Sequence, residues 1–217
     1  MTFNNHKLTK LLLFSLSVLM LVNTLDFVFN IYDVSYLRKI ISGANVTAWE
    51  DNFYILKNRT ERWVSFSTTI LYWIIFIPWF YWNYKNVYLR EIEQAPFKPR
   101  IVPFSFILPV FNLYGPYKIM KFIWYGNSET EEEVKIGYKR IKLWWFLSVL
   151  IWSATKLLGH KYSNAENADQ YLTFTYWYLL LNAVSIHWSI LTMQIAIDIR
   201  NMENKIHVSQ VDLRGNK

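Results

Sequence analysis

The 217-residue chain is predicted to be an all-α membrane protein. We expect a bundle of four transmembrane helices, one proline-broken re-entrant segment and a short interfacial helix. Apolar residues make up 53% of the chain and charged residues only 18%, below the roughly one quarter of an ordinary soluble domain. The 41 aromatic residues outnumber the 39 charged ones. Uncharged runs recur at about the ~20 residues that cross ~30 Å of hydrocarbon.

The composition also excludes several classes of protein. The chain has no cysteine, which excludes disulfide frameworks, thiolate metal sites and cysteine nucleophiles. It has no glycine-rich phosphate loop and no Gly-x-Ser-x-Gly motif. Its four histidines form no His-x-x-x-His pair, so neither a metal nor another cofactor is expected. The net charge of +7 suits either nucleic acid or a membrane surface, and the positions of the charges decide between them.

The first predicted span covers residues 10–32. Lys7 and Lys10 precede its apolar core, as they would in a signal peptide. However, no small-x-small cleavage site follows that core, which favours an uncleaved first helix. The remaining predicted spans cover residues 63–82, 142–159 and 171–199. Tryptophan and tyrosine cluster at their ends, which is typical of anchors at a membrane interface.

A fifth uncharged segment, residues 101–117, contains Pro103, Pro109 and Pro116. Each interior proline removes a helix hydrogen bond, and in lipid the freed backbone groups must find partners inside the protein. The segment is therefore either a badly broken spanning helix or a re-entrant hairpin. We expect the hairpin, with residues 1–203 forming one membrane domain, residues 33–62 an outer loop and residues 204–217 a cytoplasmic tail.

The basic residues favour this arrangement over one in which segment 101–117 crosses. With four crossings, 16 of the 23 lysines and arginines lie on the side of the two termini and 7 lie on the other side. The excess of positive charge marks the cytoplasmic side, so both termini are expected there. A five-span chain with its N-terminus outside would place 15 basic residues inside, but it would leave three prolines in a lipid-spanning helix.

Three further patterns concern helix starts and surfaces. Thr47-Ala48-Trp49-Glu50 has the form of a capping box, and a helix from there can continue into the second span. Ser128-Glu129-Thr130-Glu131 has the same form ahead of the third span. Residues 117–125 alternate lysines with apolar side chains, which is typical of a helix lying on the cytoplasmic interface.

The central segment carries a recognisable motif, Leu108-Pro-Val-Phe-Asn-Leu-Tyr-Gly-Pro-Tyr117. It resembles the Pro-x-x-Asn-Leu-x-x-Pro-Tyr segment of an uncharacterised bacterial family of four-helix membrane proteins, a domain of unknown function. The segments 82–86 and 120–124 and the pair Trp144-Trp145 are similar to that family too. The resemblance implies four spans and a bacterial cytoplasmic membrane, but no activity. Phe104 and Phe106 stand where family members often have tryptophan.

Ionisable residues inside spans are costly and therefore candidate functional residues. Asp26 and Lys156 lie at similar heights on two outward-running helices, so they could form an ion pair; alternatively, both reach the outer headgroups. Asn23, Asp26 and Asn30 share one face of the first helix.

On the last helix, His187, Gln194 and Asp198 share a face. If these three residues and the polar face of the first helix both point inward, they would outline a hydrated seam between the helices. Alternatively, the polar side chains simply hold the membrane helices together. Asn112 lies between Pro109 and Pro116, where its amide can satisfy backbone groups that those prolines free. The same position could instead help to form a substrate site, as broken helices do in transporters.

The sequence thus predicts a non-enzymatic structural or interaction module in the bacterial inner membrane. The alternative is a small channel or transporter with a polar site around Asn112. The expected partners are the lipid bilayer and either another protein or a second copy of the chain. Nucleic acid is not expected, because the basic residues are spread over the ends of the helices and form no compact face.

Overall fold

The computed structural model describes residues 5–90 and 94–215, with the side chains of all of these except 109 and 207–215. The long helices are α1 (His6–Ile41), α2 (Ala48–Tyr88), α5 (Glu131–Ser163) and α6 (Ala168–Gly215), and the short ones are α3 (Pro109–Asn112) and α4 (Gly115–Tyr125). The described ranges contain no strand. By length and composition, four helices can cross a membrane. The predicted helical membrane bundle is confirmed.

Helices α1 and α2 extend well beyond the apolar runs that predict them. Residues 33–62 were expected as an outer loop, yet only 42–47 lie between the two helices. Helix α1 ends at Ile41 and is capped by Gly43, whose φ of 68° is open to glycine and strained for other residues. The N–H of Ala44 donates to the carbonyl of Lys39 over 3.0 Å, which completes a Schellman cap.

The first predicted capping box is confirmed and the second is wrong. The N–H of Glu50 donates to Thr47 Oγ1 over 3.3 Å, and the N–H of Thr47 donates to the Glu50 carboxylate over 3.0 Å. In the second case Thr130, not Ser128, accepts the N–H of Glu133, over 3.2 Å. Ser128 instead donates its hydroxyl to the carbonyl of Trp124, because it still belongs to the turn that follows α4.

The prolines of the central segment begin short helices. Pro99 and Pro103 open two 3-10 turns, Pro99–Ile101 and Pro103–Phe106, while Pro109 and Pro116 lie in the first turns of α3 and α4. A first-turn N–H has no partner within its helix, so proline loses nothing there. The longest helix between α2 and α5 is α4. Its 11 residues extend about 16 Å, which is too short to cross a bilayer.

Helix α4 contains the segment expected to lie on the membrane interface. Its apolar face is buried, so that face packs against protein and not against lipid. The position of α4 at the membrane interface stays a prediction. The buried apolar side chains are Ile119, Met120, Phe122, Ile123 and Trp124. Lys118 and Lys121 remain exposed, over the rings of Tyr114 at 5.2 Å and Tyr138 at 4.9 Å.

The last helix is longer than expected. Residues from 204 onward were predicted to form a loose tail, but α6 continues as helix to Gly215. The stretch 204–214 contains neither proline nor glycine, so nothing in it stops a helix that the preceding span has already nucleated.

The chain divides into two compact units. Unit 1 comprises Met1–Leu16, Tyr72–Phe146 and Leu191–Lys217, and unit 2 comprises Ser17–Leu71 and Leu147–Ile190. The core of unit 1 is aromatic: Phe106 packs edge-on against Phe76 and Phe80, with ring centroids 5.7 and 5.2 Å apart. Trp79 Nε1 donates to Thr9 Oγ1 over 3.0 Å, which joins α2 to α1 within this unit. In unit 2, Trp188 Nε1 donates to Ser148 Oγ over 2.7 Å.

Candidate functional site

The first candidate site is an ion network buried in unit 2. The Lys57 side chain is only 3% exposed, and its ammonium pairs with Asp33, which is 6% exposed. The same ammonium lies 3.4 Å from Glu61, one turn further along α2. It also lies over the rings of Phe29 and Tyr54, 5.9 and 5.6 Å from their centroids. A single buried cation thus faces two carboxylates and two aromatic rings.

The network leaves acceptor capacity unused. Asp33 Oδ1 and Glu61 Oε1 are buried and accept no hydrogen bond from any described residue. A buried pair gains little net stability, because desolvation offsets most of the attraction. Removal of one partner is nevertheless costly, since the other charge then stays buried alone. Lys57 therefore sets the charge balance of this site.

Four tyrosines, one on each long helix, form further contacts within unit 2. The Tyr36 ring stacks on that of Tyr54 with centroids 4.4 Å apart, and the Tyr36 hydroxyl donates to Asp51 over 2.6 Å. The hydroxyls of Tyr54 and Tyr162 lie 3.4 Å apart. Arg38 donates to the hydroxyl of Tyr176 over 2.6 Å. These contacts join α1, α2, α5 and α6 within the unit.

The structure does not bring Asp26 and Lys156 together. Asp26 accepts a hydrogen bond from Ser65 over 2.9 Å, whereas Lys156 is exposed and forms no ion pair with any described residue. Asn23 and Asn30, on the same face of α1 as Asp26, are half-buried. Of the two arrangements that the sequence left open, the ion pair is not formed, because Ser65 on α2 is the partner of Asp26.

Asn112 is half-buried, and its backbone N–H donates to the carbonyl of Leu108 over 2.7 Å. No described residue forms a hydrogen bond with its side-chain amide, so the predicted clasp is wrong. Because Pro109 and Pro116 lie in first turns, they remove no hydrogen bond within a helix and so free no carbonyl that the amide would have to satisfy. Pro116 is buried, and a Cβ on the adjacent Gly115 would make tight contacts, 3.1 Å from Phe111 and Ser105.

Residues in or near the other segments that resemble the family, such as 82–86 and the pair Trp144-Trp145, form contacts in unit 1. The hydroxyl of Tyr84 donates to the carbonyl of Phe97 over 2.5 Å and accepts the N–H of Phe97 over 3.1 Å. Trp145 Nε1 donates to the carbonyl of Leu113 over 3.1 Å. Arg90 donates to Asn127 Oδ1 over 2.6 Å. The hydrogen bonds of Tyr84 and Trp145 hold the irregular stretch between α2 and α4 against α2 and α5. That of Arg90 joins the residues just after α2 to those just after α4.

The second candidate site is the exposed face of α6. We call it the α6 stripe. It consists of all the exposed residues between Tyr171 and Glu203, which are Thr173, Tyr176, Trp177, Leu180, His187, Ile190, Gln194 and Asn201. An inward-facing seam that includes His187 and Gln194, one of the arrangements weighed from the sequence, is not formed, because both side chains are exposed. Of the predicted set, Asp198 alone has a charged partner, Arg140.

His187 and Gln194 have few partners within the protein. His187 Nδ1 lies 3.0 Å from the carbonyl of Ala183, one turn earlier on the same helix, and a carbonyl can only accept. Nε2 has no hydrogen-bond partner among the described residues. The Gln194 amide likewise meets no described hydrogen-bonding group. Each side chain thus offers hydrogen-bonding capacity to whatever covers the stripe.

Sequence reasoning missed the Lys57 network for a definite reason. Lys57, Asp33 and Glu61 lie in the stretch assigned to the outer loop, where charges are ordinarily solvated. The available signal was the spacing of Lys57 and Glu61, four residues apart on a helix that begins at a confirmed capping box. The position of Asp33 opposite them depends on the extension of α1 to Ile41, which hydropathy does not show.

Comparison with protein families identifies the chain. The model of a family described as a domain of unknown function, DUF4328, matches residues 56–200, about two thirds of the chain. The match covers most of α2, the central segment, α5 and most of α6. Comparisons with curated proteins and with solved structures find no match. The resemblance based on the Pro109–Tyr117 motif is confirmed, and this integral membrane protein belongs to the DUF4328 family.

Proposed function

We propose that the protein is a non-enzymatic interaction module of the membrane, which binds another membrane protein along the α6 stripe. The observation that carries this proposal is the exposure of His187 in the middle of the uncharged run 171–197. Its position is 10 residues from Ile197, which corresponds to about 15 Å along the helix. An imidazole is too short to reach a headgroup region from that depth.

An exposed polar side chain within a span indicates a protein partner because hydrocarbon contains no hydrogen-bonding groups. A polar group without a partner there is costly, and such residues almost always face protein or a water-filled cavity. Gln194, two helical turns further on, is a second exposed polar side chain on the same face, and it lies three residues before Ile197, near the end of the uncharged run. A protein surface over the stripe would supply the missing partners, which lipid cannot do.

The non-enzymatic part of the proposal is supported by how the buried charges are used. Lys57 is neutralised by Asp33, with Glu61 beside it, and Asp26 is held by Ser65. Such mutual pairing holds helices together, whereas a general acid or base must reach a substrate.

The proposal includes an orientation. We place both termini on the cytoplasmic side of a bacterial inner membrane, on the strength of the 16 to 7 division of basic residues. Reporter fusions at Gly43, Gln94, Asn127 and Ala165 test this placement. Fusions at Gln94 and Asn127 should be active only with a cytoplasmic reporter, and those at Gly43 and Ala165 only with an external one. Opposite locations for Gln94 and Asn127 would contradict four spans.

Site-specific photo-crosslinking tests the interaction itself. A photoreactive amino acid replaces Ile190 in the stripe, and in the matched control it replaces Leu150 on α5; each of these residues is 41% exposed. In intact membranes we expect protein adducts from position 190 and only lipid adducts from position 150. Substitution of His187 and Gln194 by leucine should reduce the adducts at 190. An absence of protein adducts at 190 would refute the proposed function.

A second candidate is transport of an ion or small polar solute. The observation that favours transport is that Asp33 Oδ1 and Glu61 Oε1 are buried acceptors without a hydrogen-bond partner among the described residues. The polar site would then lie at these two carboxylates and not around Asn112, where the sequence suggested it. Vesicles containing the purified protein would then show solute flux that Asp33→Asn abolishes. If flux persists in the Asp33→Asn variant, or if no flux is seen at all, transport through this site is refuted and the interaction module is the remaining proposal.

A further inference from the structure

The ion network of unit 2 holds more acidic groups than basic ones. Lys57, its only cation among the described residues, contacts the carboxyls of Asp33 and Glu61. Asp26 lies two helical turns before Asp33 on α1. Besides its hydrogen bond with Ser65, Asp26 interacts electrostatically with Lys57 and Glu61. Three carboxylates and one ammonium would give the fully ionised network a net charge of −2.

The other lysines and arginines of unit 2 do not supply the missing positive charge. Lys39 pairs with Glu50 at the start of α2. The rest are exposed and form no ion pair with any described residue; they are Arg38, Arg59, Arg62, Lys156 and Lys161. Buried charge without compensation is costly, and carboxyls that share a site resist being ionised together. The network therefore calls for a further cation or for a proton.

A proton fits the network better than a metal ion does. The part of the chain that the structure describes contains no group of three or more histidine or acidic side chains that could hold a metal. The Lys57 ammonium contacts both Asp33 and Glu61, so a metal bound by these carboxyls would meet a like charge at close range. A proton needs a single oxygen and adds no bulk.

We propose that Glu61 is a proton-binding residue, which is protonated while Asp33 stays ionised and paired with Lys57. Asp33 keeps the charge because it accepts the hydrogen bond of the ammonium. Glu61 lies 3.4 Å from that ammonium, and its buried Oε1 accepts no hydrogen bond from a described residue. Donors favour the ionised form of a carboxyl, whereas like charges, here Asp26 and Asp33, favour the protonated form.

The position of Glu61 lets the proton come and go. Its side chain is 21% exposed, against 6% for Asp33, and it lies two residues before the predicted span 63–82. Once ionised, Glu61 competes with Asp33 for the single ammonium. The proton therefore determines whether Lys57 serves the contact of α2 with α1 alone or also a contact within α2.

Infrared spectroscopy tests the inference, because a protonated carboxyl has a C=O stretching band that a carboxylate lacks. The protein is reconstituted into bilayers of ether-linked lipids, which have no ester carbonyl. At about pH 6, where a solvated glutamate with its pKa of about 4.3 is ionised, we expect a band of protonated carboxyl. Glu61→Gln should remove one component of that band, and alkaline solution should remove the same component. The matched variant Glu166→Gln, at an exposed position, should leave it unchanged.

Isotopic labelling identifies the component without any substitution. In native protein whose glutamate side chains are labelled at the carboxyl carbon, the component that alkaline solution removes should shift. An aspartate as its source, such as Asp26 or Asp33, would leave it in place and would overturn the inference.

Asp33→Asn tests whether the pairing of Lys57 keeps the proton on Glu61. Without the charge of Asp33, the ammonium can pair with Glu61, so the Glu61 component should disappear at the same pH. The inference is overturned if the native protein lacks the component, if Glu61→Gln retains it, or if Asp33→Asn leaves it unchanged. None of these outcomes involves the α6 stripe, so each leaves the proposed function intact.

Discussion

Lys57 is the residue whose loss should most affect unit 2, because its ammonium neutralises Asp33 and lies beside Glu61. Lys57→Met keeps the aliphatic packing and removes the charge. We expect it to destabilise the protein by about 3 kcal/mol, since two carboxylates then remain buried without a cation. Reversible unfolding in mixed micelles would measure this change.

Two comparisons make the Lys57 prediction specific. Lys156→Met, at an exposed position on α5, should change the stability by less than about 0.5 kcal/mol. Adding Asp33→Leu and Glu61→Leu to Lys57→Met should restore most of the lost stability, because no uncompensated charge remains. Equal effects of Lys57→Met and Lys156→Met would contradict the buried network.

Gly137 is a second residue with a specific structural requirement, which lies in unit 1. A Cβ at this position would lie 1.9 Å from Trp124 Nε1, whose N–H donates to the carbonyl of Glu133 over 2.9 Å. Gly137→Ala should therefore displace the indole and destabilise the protein by about 2 kcal/mol.

Gly159→Ala is the matched control on the same helix. The nearest atom to its Cβ would be the Tyr178 hydroxyl, at 4.0 Å. Alanine favours helix, so this variant should unfold no more readily than the native protein. If Gly137→Ala were equally neutral in the same unfolding assay, the close packing of Trp124 on α5 would be refuted.

At the scale of the elements, the N-terminus of α2 should be sensitive to acid. The Lys39 ammonium, and after it the backbone N–H of Thr47, lower the pKa of the Glu50 carboxyl from its ordinary 4.5 to about 2. Glu50 lies 13 residues before the predicted span 63–82, in the capping box. A lowered pKa means that the ionised form stabilises the folded state, fully above pH 4.5 and progressively less down to about pH 2.

Hydrogen exchange measures this effect locally. Amide protection in the first turn of α2 should fall as the pH is lowered through that window, after correction for the intrinsic exchange rate. Glu50→Gln should show weaker protection at neutral pH and a flatter dependence on pH. The same pH dependence in Glu50→Gln and in the native protein would assign the effect to another group.

The elements also show how far sequence reasoning reaches. The spans and the box at Thr47 could be predicted because apolar length and cap chemistry are local properties of the chain. The ends of α1 and α6 could not, since helices continue wherever no residue stops them, whatever the hydropathy. Prolines in segment 101–117 were expected to break a helix, yet each described one lies in a first turn, a position that depends on the preceding residue's conformation.

Individual side chains were harder to predict than elements. The shared face of His187 and Gln194 follows from helical spacing, but whether that face points inward or outward does not. Which partner a charge finds depends on packing: Asp26 accepts a hydrogen bond from Ser65 instead of pairing with Lys156, and Lys57 pairs with Asp33. The sequence thus predicts which residue types share a helix face, but only in part which side chains contact one another.

At the scale of the whole molecule, the buried contacts stabilise the fold, whereas the exposed α6 stripe is proposed to bind a partner. The buried aromatic and ionic contacts hold each unit together by itself. The α6 stripe instead presents polar groups at the depth of the hydrocarbon, which is costly for an isolated copy. We infer that the functional form is an assembly in which this stripe is covered.

The accessibility of Ile190 to oxygen tests this account most directly. Ile190→Cys and Leu150→Cys, two positions of equal exposure in the single chain, are spin-labelled in the purified protein reconstituted into bilayers. We predict that collisions with oxygen are markedly fewer at position 190 than at position 150, and that a water-soluble relaxation agent reaches neither. Equal oxygen accessibility at the two positions would contradict a protein-covered stripe.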